Sequence, residues 1–303
     1  MKPSRGALRA DGLLLLTALI WGFAFVAQRS GMRAIGPFAF SAARFALGTL
    51  SLLPLLFLQK RRRPVPGPRA LGPGRRAAWA ALAGLVLFLG ANLQQVGLVT
   101  TTAGNAGFIT SLYVILVPLL GLLTGRPSRP AIWAGAALAL AGLYILSIGA
   151  GFRMAPGDRL ELLGAFFWAG HILLINRLVF RMEALEIAVG QFATCALLSL
   201  AVALVREPAP FAGLAPAALP ILYGGLLSIG VAYTLQIVAQ KTAHPAHASI
   251  ILSIEALFAG VGGVLFLGEP LTSRLVLGGA LMLAGMVLSQ REPKGAPGAL
   301  ERP

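Results

Sequence analysis

Charge is scarce in this chain, and acidic charge is scarcest. Only 12% of the 303 residues are charged, and Asp and Glu together number ten. Soluble globular proteins carry about 25% charged residues, so composition excludes an ordinary soluble domain and points to a membrane protein. Cysteine is rarer still. Cys195 stands alone, which excludes an intramolecular disulfide and any Cys-based zinc site. Aspartate occurs only at Asp11 and Asp158, so there is no buried aspartate pair of the kind that holds Mg²⁺-diphosphate in membrane-embedded prenyl-transfer enzymes. His-Glu-x-x-His, Gly-x-Ser-x-Gly and the phosphate-binding Gly-x₄-Gly-Lys-Ser/Thr loop are all missing, which argues against a metallohydrolase, a serine hydrolase and an ATP-driven pump. The chain is expected to be no enzyme and to hold no cofactor and no metal.

What the chain does have is apolar sequence: 57% of it is hydrophobic. Crossing the hydrocarbon core as a helix takes about 20 mostly apolar residues. Ten such stretches are present: Gly12–Gln28, Pro37–Leu58, Ala77–Val99, Ala103–Thr124, Pro130–Ile148, Arg159–Val179, Glu186–Val205, Ala217–Gln240, Ala246–Leu267 and Leu271–Ser289. Membrane β-strands would alternate apolar and polar residues over about ten positions, whereas Ala131–Leu146 is apolar apart from Trp133 and Tyr144. The connections are too short to bury a core of their own, so function belongs inside the bundle or at its mouths. The first stretch follows Lys2, Arg5 and Arg9 as a signal peptide would. It runs past a 7–15-residue signal core without a clear cleavage site, and is expected to be retained.

The net charge of +15 is unevenly spread. With ten alternating spans and a cytoplasmic N-terminus, 18 basic residues fall inside, six fall outside, and Arg44 lies within a span. The positive-inside rule selects this orientation, so both termini are expected in the cytoplasm of a multi-pass protein of a bacterial inner membrane. The run Lys60-Arg61-Arg62-Arg63 reads as an anchor near anionic headgroups. It lacks the interleaved aromatics of single-strand nucleic-acid binding, and no nucleic-acid partner is expected.

The chain repeats itself. Gly125-x-Pro127, Gly135 and Gly142 recur 143 residues later as Gly268-x-Pro270, Gly278 and Gly285, and ALALAG (Ala137–Gly142) matches ALMLAG (Ala280–Gly285). Leu93-Gln94, Val96, Thr100, Ala106, Ile109, Ser111 and Gly121 recur at an offset of 142, while Trp21 and Phe45-Ala46 recur at 147 as Trp168 and Phe192-Ala193. The fold class is therefore an all-α integral membrane protein of ten transmembrane helices, built as two inverted five-helix repeats. The repeats occupy 1–150 and 151–290, and a short cytoplasmic tail follows at 291–303. Five spans is an odd number, so the second half enters from the opposite side, as in secondary transporters. The seven-residue glycine spacings mark one face each of the fifth and tenth helices for close packing.

Polar residues within a span cost free energy and usually face the bundle or a cavity. Trp21, Phe25 and Gln28 share a face of the first helix, and Trp168, His171 and Ile175 share one of the sixth. The third helix carries Asn92 and Gln95, with Gln94 beside them, and the eighth carries Tyr233, Gln236 and Gln240. Trp21, Phe25, Gln28, Asn92, Gln95, Trp168, His171, Tyr233 and Gln236 are the candidates for binding a modest amphipathic solute. The plainer alternative is interhelical hydrogen bonding, worth about 0.6 kcal/mol per bond. Glu255 lies about nine residues into its span, where a charge costs about 2.5–3.5 kcal/mol. It is protonated, paired or wet, and with His171 it is the candidate for proton coupling, a structural hydrogen bond being the plainer reading of each. Arg44 is expected to pair with a carboxylate or to snorkel to headgroups, and a structural role is the plainer reading beside a functional one. His244 and His247 lack further ligands for a metal, and Cys195 reads as a small packing residue.

Together these features resemble the EamA-type transporters of the drug/metabolite transporter superfamily. The resemblance rests on Trp21-Gly22, Ala43-Arg44-Phe45, the segment Thr101-Thr102-Ala103-Gly104-Asn105-Ala106-Gly107-Phe108 running on to Pro118, Ser253-Ile254-Glu255, and Gly268-Glu269-Pro270-Leu271-Thr272 before a glycine-spaced last helix. It implies a ten-helix fold around a central cavity and export of amino acids, metabolites or drugs, with a small-molecule substrate, the lipid bilayer and protons as partners and a homo-oligomer as a compatible assembly. Two positions depart from the pattern. Ala256 stands where a proline often follows the glutamate, so the ninth helix lacks the proline that would kink it. Arg126 stands where the first half often has an acid like Glu269, so a matching gate interaction lacks its acid.

Overall fold

The computed structural model describes residues 5–62, 71–101, 103–125, 127–147, 155–267 and 271–290. Arg126, Gly268-Glu269-Pro270 and the expected tail at 291–303 lie outside the described residues. Those described form helices joined by short turns, with no strand among them. In chain order the helices are α1 (Arg5–Gly31), α2 (Pro37–Arg62), α3 (Pro73–Thr100), α4 (Ala103–Thr110 and Tyr113–Leu123), α5 (Pro130–Ser147), α6 (Pro156–Leu178), α7 (Ala184–Arg206), α8 (Ala218–Leu222, Tyr223–Tyr233 and Thr234–Ala239), α9 (Pro245–Leu252 and Glu255–Leu267) and α10 (Ser273–Ser289). These match the ten apolar stretches.

Seven of the ten are long and apolar enough to cross a membrane by length and composition alone. Two others, Pro130–Ile145 and Ser273–Ser289, are apolar but shorter. α6 has the length, at 23 residues. Its hydropathy is diluted by Asp158, Arg159, Glu161, His171, Asn176 and Arg177, most of which it buries against neighbouring helices rather than exposing to lipid.

Close packing occurs where the glycine spacing places it. α5 and α10 cross so tightly that a Cβ added at Gly135 would lie 2.6 Å from the Gly285 carbonyl oxygen, and one at Gly142 would meet the Gly278 carbonyl. Each glycine meets the repeat equivalent of the other, the pairing expected of two helices related by a two-fold axis in the membrane plane. Small residues permit this approach, and dispersion between backbones replaces the hydrophobic drive that lipid cannot supply.

The same axis runs through α4 and α9, and both helices break on it. α4 is interrupted after Thr110 and α9 after Leu252, positions 142 residues apart. No proline makes the break in α9, because Ala256 stands where one often follows the glutamate. A tight turn makes it instead: Ile254 N bonds the Ile251 carbonyl, Ala256 N that of Ser253 and Leu257 N that of Ile254. These are three-residue spacings in place of the usual four. The Ser253 hydroxyl turns back to the Ile250 carbonyl at 2.8 Å, a bond that competes with regular helix geometry. The Ser253 carbonyl also accepts the Ser111 hydroxyl, 3.3 Å across the axis.

α8 has its own irregularity. Tyr223–Tyr233 is a wide π-helical stretch rich in glycine. Wide turns of this kind occur frequently at functional sites. Side chains of α1 reach its backbone: the Trp21 Nε1–H donates to the Ser228 carbonyl at 3.2 Å and the Thr17 hydroxyl to that of Ala232 at 3.2 Å.

Polar contacts at the helix ends group into two faces. On one, Arg76 pairs with Glu186 at 3.1 Å, Lys241 with Glu183 at 3.8 Å, and Asp11 accepts from His247 and from Gln290. On the other, Glu207 accepts the Phe38 and Ala39 amides at the start of α2. There Thr101 also donates to Asp158, which accepts the Ala155 amide at the start of α6. Every contact joins ends that alternating spans place on one side. Asp158 and Glu161, in the first turns of α6, are both fully buried. The cause is glycine: a Cβ at Gly157 would strike the Gly97 carbonyl, so α3 and α6 close over the two carboxyls.

Candidate functional site

At the centre of the bundle a cavity of about 40 Å³ is lined by α1, α2, α3, α4, α6, α8 and α9. Room for one water takes about 10–15 Å³, so the cavity has room for about three waters and not for a metabolite.

Most sequence candidates meet here. Trp21, Phe25 and Gln28 from α1, Trp168 and His171 from α6, Tyr233 and Gln236 from α8, and Glu255 from α9 all line the cavity. Tyr233 is the hub of the aromatic lining. Its ring centroid lies 4.5 Å from Trp21, 6.3 Å from Trp168, 6.2 Å from His171 and 5.7 Å from Phe192. The tilted and edge-on geometries are those that aromatic quadrupoles favour. His171 Nε2 lies 2.8 Å from Gln191 Oε1.

Asn92 and Gln95 do not line the cavity. Asn92 donates to the Ser199 hydroxyl at 2.9 Å and so ties α3 to α7, and Gln95 is fully buried on another side of α3. Their neighbour Gln94 faces the cavity instead. It donates to Gln28 Oε1 at 3.3 Å and its own Oε1 accepts the Trp168 indole at 3.1 Å and the Thr110 hydroxyl at 3.5 Å. Thr110 Oγ1 also lies 3.0 Å from Glu161 Oε2, so its one hydroxyl hydrogen is shared between the two acceptors or given to one of them. Gln240 is occupied between helices, its amide donating to the Ile172 carbonyl at 3.0 Å.

Arg44, Gln94, Thr110, Tyr113 and Ser228 complete the polar lining, and helical periodicity alone did not select them. The internal repeat contains the missing signal. Gln94 and Gln236 are equivalent at an offset of 142, and so are Tyr113 and Glu255; Trp21 and Trp168 are equivalent at 147. All six line the cavity. Tyr113 donates its hydroxyl to Glu255 Oε1 at 2.8 Å, with both side chains buried.

The histidines near the face bearing Asp11 are accounted for by packing. His244 accepts the Ala246 amide at the start of α9, and His247 sits between Ser289 and Asp11. Cys195 is fully buried, as a packing residue would be.

Two inverted five-helix repeats closing on a polar, aromatic-lined cavity, with a broken helix from each meeting on the axis, define a membrane transporter. The chain belongs to the EamA-like transporter family, whose model matches residues 8–148 and again 155–290. It is 32% identical to a protein of Archaeoglobus fulgidus named an uncharacterized transporter, over 93% of this chain and 85% of that one. The Escherichia coli protein named the uncharacterized inner membrane transporter YedA is 28% identical over 72% of this chain and 67% of its own. A Streptantibioticus cattleyicolor protein named a probable terminal-alkyne amino-acid exporter is 26% identical over 95% of both. A solved crystal structure at 20% identity has the same fold, with a TM-score of 0.74 over 92% of this chain and 96% of that one.

Proposed function

We propose that this protein is a secondary carrier that exports small metabolites, amino acids or drugs across the bacterial cytoplasmic membrane by alternating access, with both termini cytoplasmic. The observation that carries the reading is the meeting of α4 and α9. Both helices break at equivalent positions, and Tyr113 and Glu255 join them over a cavity too small for a solute. A channel needs no such symmetry. Exchange of the two repeats' conformations opens the cavity first to one side and then to the other. The solute is held among Trp21, Phe25, Gln28, Trp168, His171, Tyr233 and Gln236. The name of the Streptantibioticus cattleyicolor relative supports amino acids within that range.

Glu255 and His171 are the proposed proton-linked groups. Both face the cavity, where a solute and a proton compete for the same side chains. Solute counterflow in proteoliposomes tests the carrier: saturable exchange accelerated by solute on the far side is expected, and flux that never saturates overturns it. Flux indifferent to an imposed pH gradient removes the proton coupling alone.

A further inference from the structure

The repeat symmetry of the cavity is broken by charge at two places. Tyr113 in the first repeat faces Glu255 in the second. Arg44, at an offset of 147, corresponds to Gln191. Gln191 is fully buried, neutral and bonded to His171 at 2.8 Å. The second repeat thus fills this position without a charge, so packing alone does not require an arginine in the first.

Arg44 is 4% exposed and lines the cavity. Its guanidinium lies over the rings of Phe40 and Phe45, at 5.6 and 5.1 Å from their centroids. Its Nε has no hydrogen-bond partner, and no carboxylate lies within 4 Å among the described residues. Sequence reasoning offered pairing with a carboxylate or snorkelling to headgroups, and neither is present. A desolvated cation without a counter-charge is strongly unfavourable, and cation–π contacts offset only part of that. The Glu255 carboxyl faces the same cavity but is bonded to Tyr113.

We infer that Arg44 is the specificity-determining residue of the central site and binds the carboxylate of the transported solute. A guanidinium presents a planar fork of donors that matches a carboxylate. The aromatic wall of Trp21, Trp168 and Tyr233 takes an apolar side chain, and Glu255 takes an ammonium group where the solute has one. This inference rests on the carrier reading above and adds the chemical class of the solute.

The test is binding by the purified full-length protein, measured calorimetrically with leucine, leucinamide and 4-methylpentanoate. Leucine and 4-methylpentanoate are expected to bind about 10- to 100-fold more tightly than leucinamide, the range for a charge-assisted bond made or lost. Arg44→Gln, which copies the second repeat's residue, is expected to abolish that preference, and Arg44→Lys to restore part of it. A merely structural arginine would weaken all three ligands alike. Leucinamide binding as tightly as leucine overturns the inference, as does an Arg44→Gln protein that still prefers the acids, or a protein that binds none of the three. The comparison of acid with amide on the unaltered protein stands even where a variant fails to fold. The carrier reading fails separately, through absence of saturable exchange in proteoliposomes while binding of the acids persists.

Discussion

Tyr113 and Glu255 are one position seen twice. They lie 142 residues apart in equivalent places of the two repeats, and the Tyr113 hydroxyl donates to Glu255 Oε1 at 2.8 Å across the axis that relates the halves. A phenol meeting a carboxyl there gives Glu255 a partner without a counter-charge, at the point where α4 and α9 are both broken. Removing the phenol hydroxyl leaves a buried acceptor unsatisfied, which costs about 1–3 kcal/mol. Tyr113→Phe is expected to lower the melting temperature of the purified protein and to slow exchange. Unchanged melting would show that the bond contributes nothing to stability.

Glu255→Gln keeps an acceptor for Tyr113 and discards the titrating group. Its expected phenotype is a split: counterflow of solute survives, while accumulation driven by a pH gradient is lost. Proteoliposomes with and without the gradient read both. A variant that still accumulates solute in response to the gradient takes Glu255 out of the coupling mechanism.

The crossing of α5 and α10 has no spare volume. Gly142→Val forces side-chain carbon into the Gly278 carbonyl and Met282, and overpacking of this kind costs about 1–3 kcal/mol. Gly12→Ala, where an added Cβ has nothing within 4 Å, is the matched control and is expected to be neutral. Thermal unfolding in detergent compares them, and equal melting of the two would contradict the close approach.

Asp158 holds two partners, the Thr101 hydroxyl and the Ala155 amide. Asp158→Ala removes the end cap of α6 and strands the hydroxyl, a loss of about 1–2 kcal/mol. A melting temperature equal to that of the unaltered protein would show that the carboxylate is dispensable.

Orientation is open to labelling, because the only cysteine, Cys195, is fully buried. Cysteines placed at Arg61 and Arg206, both exposed and at the C-terminal ends of the antiparallel helices α2 and α7, are expected to react with an impermeant maleimide from the cytoplasmic and external sides respectively. The reverse pattern would invert the proposed topology.

Much of the fold was legible because the bilayer imposes length and apolarity on each span, and a duplicated sequence carries its symmetry in plain view. The glycines at 135, 142, 278 and 285 marked close-packing faces on α5 and α10, but that the two faces meet each other came from the structure. The site was legible in part. Periodicity found Trp21, Phe25, Trp168 and Tyr233, but it placed Asn92 and Gln95 on the binding face in place of Gln94. One residue is 100° of helix rotation, and a span with polar residues on several sides leaves that rotation open. The break in α9 was hidden because serine back-bonding, not proline, makes it.

By itself the sequence determined the class, the number of spans, their pairing into two halves and the family, because these follow from local composition and repetition. Only the tertiary structure decided which equivalent residues meet on the axis, that Asp158 and Glu161 are buried, and that Arg44 faces the cavity without a carboxylate. Those depend on helix rotation and close approach, which are set by contacts between segments far apart in the chain, such as those of Gly97 with Gly157 and of Tyr113 with Glu255.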